Sequence, residues 1–209
     1  MLKELFGKKL GMTQIFTEAG ELIGVTLIEI EPACILEKVT YRSKEKVRIG
    51  CFKVPQGKER KVKKPQAGYF KKLGVSLFKF LKEVDFDPSG EFTPKQEIGI
   101  DIFAEGEKVN VRAKMKGRGF QGGMRRHGWA GQPRSHGHTM HRRLGSAGAC
   151  SYPAKIIKGL KMPGHMGDAY RTAKNLEIVK IEPEENLLFV KGSVPGSVGS
   201  IVSVHKQSA

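Results

Sequence analysis

Three groupings in this 209-residue sequence carry side chains that could do chemistry. Gly117-Arg118-Gly119-Phe120-Gln121-Gly122 has the G-x-G-x-x-G spacing with which a turn cradles a pyrophosphate. That use needs a strand before it, a helix after it and an acid about 20 residues on for a ribose. The following Gly123-Met124-Arg125-Arg126-His127-Gly128 is a poor helix start, and the next acid is Asp168. His127, His136, His138 and His141 offer the imidazoles of a zinc site. Their segment has no carboxylate and no cysteine before Cys150, and its flanking arginines raise the cost of holding a dication. Ser135 beside His136, or Cys150 with a histidine, would pair a nucleophile with a base, but the orienting acid is missing. The expectation is no catalytic residue, no metal, no cofactor and no small-molecule substrate.

The same segment suits a different task. From 108 to 167 there is no Asp or Glu, against 13 Lys and Arg, 12 Gly and five of the six His. The chain's net charge is +16, and 13 of those surplus charges lie here. A cationic segment on a nearly neutral body calls for a polyanionic partner. Arg112, Lys114, Lys116, Arg118, Arg125, Arg126, Arg134, Arg142, Arg143, Lys155, Lys158 and Lys161 are the expected phosphate contacts. Phe120, Trp129, His127, His136, His138 and His141 can stack on bases or touch phosphates. So little apolar periodicity cannot offset the entropy of ordering, so 113–159 reads as an extended arm that orders against its partner. A DNA-binding architectural protein is the alternative class, but no helix-turn-helix or dimer signature supports it.

The elements that must hold this arm read mainly as β. Leu22–Ile30, Ala33–Tyr41, Val47–Val54 and Lys108–Arg112 are strand candidates rich in β-branched residues. Leu176–Glu182, Leu187–Lys191 and Val198–Val204 follow, separated by Pro183-Glu184-Glu185-Asn186 and by Gly192-Ser193-Val194-Pro195-Gly196. Short strands with such turns suggest a closed barrel or a sandwich. One helix is expected over Gln66–Leu73, with Pro65 in its first turn and Gly74 at its end. It lies in a second basic cluster, from which Lys61, Lys63 and Lys64 are expected to touch the polyanion. The body thus spans 1–112 and 160–209, with a helix-containing basic insertion at about 55–95.

Composition excludes other classes. Apolar runs reach about five residues, far short of a membrane span of about 20. The N-terminal Met1-Leu2-Lys3-Glu4-Leu5-Phe6-Gly7 lacks the apolar core of a secretory signal. Three scattered cysteines, Cys34, Cys51 and Cys150, fit a reducing cytosol better than a disulfide framework.

The chain resembles the bacterial L3 family of large-subunit ribosomal proteins along nearly its whole length. The likeness rests on Gly7-Lys8-Lys9-Leu10-Gly11-Met12-Thr13-Gln14-Ile15-Phe16, on Lys64-Pro65-Gln66-Ala67-Gly68-Tyr69-Phe70 and on Lys116-Gly117-Arg118-Gly119-Phe120-Gln121-Gly122. It continues through Ser135-His136-Gly137 to Arg143, through Lys158-Gly159-Leu160-Lys161-Met162-Pro163-Gly164-His165-Met166-Gly167, and through Leu187 to Gly196. The resemblance implies a six-stranded Greek-key barrel like those of translation factors, with a small α+β part and a long irregular basic loop. It implies direct binding to large-subunit ribosomal RNA near its 3′ end, neighbouring large-subunit proteins as further partners, and a loop reaching toward the peptidyl-transferase region. It implies a cytoplasmic, non-enzymatic role in assembly and translation, and it adds Lys8 and Lys9 to the RNA contacts. Some family members carry a methylated glutamine after a Gly-Ser-x-Gly turn; here Gly145-Ser146-Ala147-Gly148 is followed by Ala149, so that modification is not expected.

Overall fold

The computed structural model describes residues 2–17, 19–41, 44–85 and 93–207. Among the described residues twelve strands and two α-helices succeed one another. The first half contains β1 (Glu4–Phe16), β2 (Leu22–Ile30), β3 (Ala33–Tyr41), β4 (Lys44–Lys53), α1 (Lys64–Leu73), β5 (Phe78–Val84), β6 (Glu97–Ile98) and β7 (Lys108–Lys114). Then come β8 (Phe120–Gln121), α2 (Gly123–His127), β9 (Gly164–His165), β10 (Tyr170–Glu182), β11 (Leu187–Lys191) and β12 (Ile201–Lys206). The chain divides into two compact units, Met1–Lys114 with Tyr170–Ala209, and Met115–Ala169.

The first unit is β-rich, as expected. Six strands pair antiparallel in the order β1-β12-β7-β10-β11-β2, and β2 pairs back to β1, so the ring leaves no open edge. Period-2 alternation decides what faces inward. Along β7, Val109, Val111 and Ala113 are buried while Lys108, Arg112 and Lys114 are exposed. Leu5, Ile28, Ile178, Leu188, Val202 and Val204 join them in the core, each at most 1% exposed. Burying each such aliphatic side chain contributes about 1.5–3 kcal/mol.

A second sheet, ordered β5-β4-β3-β6, uses both of its faces. Ala33 and Ile35 of β3 share the core of the ring, whereas Cys34 and Leu36 pack with Phe70 of α1 and Phe78 of β5. The small helical part is thus held by one strand's alternation. Helix α1 begins with Pro65 in its first turn and ends at Gly74, whose φ of 62° suits a residue without a Cβ. Tyr69 donates to Glu37 Oε1 at 2.7 Å, and Arg48 bridges Glu37 and Glu83. These bonds tie α1 to β3, β4 and β5. Residues 86–92 of the expected basic insertion lie outside the described residues.

Strands β1, β5 and β6 add to the expected elements, and three more findings correct them. Strand β10 starts at Tyr170, six residues before the expected Leu176, because Tyr170 to Ala173 pair with Lys114 to Val111. The last strand starts at Ile201 rather than Val198; Ser200 N–H instead closes a turn onto Ser197 O at 3.1 Å. The supposedly poor helix start at Gly123 does form a helix. Its backbone N–H groups at Arg126 and Gly128 bond to Gly122 O and Met124 O, both at 2.9 Å, and Gly128 caps it at φ 71°. Packing overrides weak propensity there.

Candidate nucleic-acid interface

The second unit begins as an outgoing limb from Met115 and ends as a return limb into Ala169. The limbs are zipped together. Met115 N–H bonds to Ala169 O at 3.0 Å, Arg118 N–H to Met166 O at 2.9 Å and Met166 N–H to Gly119 O at 2.9 Å. Phe120 and Gln121 of β8 then pair with His165 and Gly164 of β9. The return limb from Leu160 to Ala169 therefore belongs with the arm. Asp168, the unit's one carboxylate, sits at this root, where a Cβ on Gly117 would come 3.5 Å from its own Cβ.

Beyond the root, polar contacts to backbone take the place of an apolar core. Gly123 is the only buried residue among 115–169, and it lies under the ring of Trp129. Arg126 Nη1 donates to Met162 O at 2.6 Å, and His127 Nε2 donates to the same carbonyl at 2.9 Å. The His127 and Trp129 rings stack with centroids 6.0 Å apart. Further out, His141 Nδ1 donates to Pro133 O at 3.0 Å, and His138 Nδ1 accepts from Met140 N–H at 3.2 Å. Three of the four candidate histidines are thus engaged locally, and His136 is exposed at φ 61°. Among the described residues no group of three or more His, Cys, Asp or Glu is brought together as for a metal.

The cations face outward. Lys116, Arg118, Arg125, Arg134, Arg142, Arg143, Lys155, Lys158 and Lys161 are exposed, and Arg126 is half-buried. Phe120 is 76% exposed, open to stacking, whereas Trp129 and His127 are half-buried against one another. In the first unit Arg112 and Lys114 are exposed on β7, with the Arg112 guanidinium 5.2 Å from the Tyr170 ring centroid. Lys63 and Lys64 are exposed at the start of α1, and the Lys61 side chain lies outside the described residues. Lys8 is exposed. Lys9 is not: it is 8% exposed, and its ammonium donates to Val194 O at 2.6 Å. Among the described candidates only Lys9 is buried, because its side chain falls on the inward side of β1.

Sequence reasoning missed Tyr170 and Arg171, exposed on the unforeseen first part of β10. Their signal was position: only Asp168 and Ala169 separate them from the acid-free stretch. It also missed how Lys8, Lys53, Lys58 and Lys79 converge on one cleft, which no linear spacing reveals.

The sequence matches the family described as Ribosomal protein L3 across residues 7–187. Large ribosomal subunit protein uL3 of Brachyspira pilosicoli is 44% identical over 202 residues, covering 96% of this chain and 91% of that protein. The protein of the same name from Thermotoga maritima is 43% identical over 208 residues, covering 100% of this chain and 99% of its own. That from Syntrophus aciditrophicus is 42% identical over 211 residues, covering 100% and 95%. With a match over most of its length and relatives of nearly equal extent, the chain belongs to the ribosomal protein L3 family, a family of large-subunit ribosomal proteins.

Proposed function

We propose that this chain is a structural constituent of the large ribosomal subunit in the bacterial cytoplasm, where it binds ribosomal RNA through Met115–Ala169. One observation carries the reading: this unit holds ten Lys and Arg against one carboxylate and buries only a glycine. A unit without an apolar core gains its stability from a partner, and nine exposed cations specify a polyanion. Phosphate neutralisation releases counterions, so affinity falls steeply with salt. Shape and phosphate geometry carry most of the selectivity. The family resemblance extends this to a site near the 3′ end of the large-subunit RNA, to help in nucleating assembly, to neighbouring large-subunit proteins, and to a loop directed at the peptidyl-transferase region. The role is architectural rather than catalytic.

The fold supplies a clean test. Lys114 and Tyr170 are register partners in β7 and β10, so an Asn-Gly turn can replace 115–169 without opening the ring. Cells carrying the full chain or this deletion are compared by sucrose-gradient sedimentation after a high-salt wash. The full chain is expected with the large subunit and the deletion at the top of the gradient. Normal retention of the deletion would sink the reading.

A further inference from the structure

A cleft of about 500 Å³ opens in the first unit between the ring, the second sheet and the approach to α1. Lys8 of β1, Lys53 at the end of β4, Lys58 after it and Lys79 of β5 line it, all four exposed. Among the described residues no salt bridge engages any of them. Between them the wall is apolar, made by Phe52, Val62 and Ile201. Phe52 has φ 62°, a conformation that bulky residues rarely adopt, at a step where Cys51 pairs with Phe80 and Lys53 with Phe78.

One carboxylate shares the cleft. Glu31, just after β2, is half-buried there. Burial pushes its carboxyl up and Glu29 adds to this, while the Lys53 backbone, Lys8 and Lys79 act the other way. Four cations around an apolar wall suit a base whose phosphates stay at the rim. An acidic peptide would satisfy the lysines but set its carboxylates against Glu31. A nucleobase instead brings N–H donors. Guanine alone presents two adjacent donors, N1–H and N2–H, on its pairing edge, and a carboxylate accepts both.

We infer that this cleft takes an unpaired guanosine of RNA, its phosphates among Lys8, Lys53, Lys58 and Lys79, its base on the apolar wall and its pairing edge on Glu31. This rests on the RNA-binding reading above and adds a base-selective site in the first unit.

The test is fluorescence anisotropy of the full-length protein with labelled oligouridine probes of about six nucleotides, a length within the range such sites cover. One central position is U, A, C or G. The guanosine probe is expected to bind about tenfold tighter than the other three, the size of one good bidentate pair. Glu31→Gln, folded as judged by an unchanged unfolding midpoint, is expected to abolish that preference, bringing the guanosine probe to the affinity of the other three. Lys53→Ala with Lys79→Ala is expected to weaken all four probes. Arg134→Ala with Arg142→Ala in the arm is expected to weaken all four yet keep the preference. Equal binding of the four probes by the native chain, or a preference that survives Glu31→Gln, would overturn the guanosine site and leave the RNA-binding reading standing. Failure of every probe to bind would overturn both.

Discussion

The Trp129 ring lies against Gly123, so closely that the glycine has no room for a Cβ. This pair is the nearest thing to a core in the basic unit, since Gly123 is its one buried residue. Gly123→Ala should therefore expel the indole. The cost of such overpacking is about 1–3 kcal/mol, and it falls on Met115–Ala169 alone. Trp129 is the chain's single tryptophan, so its emission reports the event directly. The expected result is red-shifted emission and faster quenching by acrylamide, with the unfolding midpoint of the ring unchanged. Native-like emission from Gly123→Ala would show that the indole is not held this way.

Arg126 and Arg134 should separate two uses of the same side chain. Arg126 is half-buried and donates to Met162 O, pinning the return limb. Arg134 is exposed. Arg126→Ala should leave the Met162 carbonyl with only His127, costing about 1–3 kcal/mol within the unit. Limited proteolysis should then cut between 115 and 169 several times faster. Arg134→Ala should leave the proteolysis rate alone and flatten the dependence of log affinity on log salt by about 0.7–0.9, the share of one phosphate contact. Equal proteolysis rates for the two variants would refute the distinction.

How far the sequence foretold these roles depends on the range of the interaction. Strands β2, β3 and β11 have the expected bounds, because alternation and flanking turns are local signals. The end of α1 at Gly74 is local in the same sense. Strand β5 was missed although Phe78-Lys79-Phe80 alternates; the alternation is short, and Leu81 and Lys82 break it. The first part of β10 is exposed on both faces, so only its pairing with β7 makes it a strand. The cationic surplus of the arm was legible because charge needs no folding to be counted. The pairing of Gly123 with Trp129, the inward turn of Lys9 and the convergence of Lys8, Glu31 and Lys79 were not, since each depends on residues brought together by the fold.

Lys8 and Lys9 are adjacent and chemically identical, yet β1 turns one out and the other in. Lys9→Met keeps the buried stem but removes the donor to Val194 O. An acceptor left unsatisfied inside a protein costs about 1–3 kcal/mol, and the unfolding midpoint should fall accordingly. RNA affinity per folded molecule should not change. Lys8→Met should do the reverse, preserving stability and lowering RNA affinity. Urea denaturation and filter binding on both variants check this. A Lys9→Met protein of native stability would mean that the buried ammonium contributes nothing.

Glu4 and His205 are register partners in β1 and β12, with Oε1 and Nε2 3.3 Å apart and Ser203 Oγ 3.0 Å from the same nitrogen. Burial dominates both groups. It pushes the Glu4 carboxyl above its ordinary 4.5, against the Ser203 hydrogen bond, and it lowers the His205 imidazole below its ordinary 6.5, with Arg112 acting in the same direction. The signs follow by linkage. As pH falls below 6.5, the unfolded chain takes up the histidine proton before the folded chain does, so stability is lost on acidification. As pH rises above 4.5, the unfolded chain releases the glutamate proton first, so stability is lost in the opposite sense. The two variants should therefore diverge. His205→Gln should show a smaller loss of urea midpoint between about pH 7 and about pH 5 than the native chain, and Glu4→Gln a larger one. Superimposable pH profiles for the native chain and His205→Gln would mean that the imidazole is not held neutral by its burial.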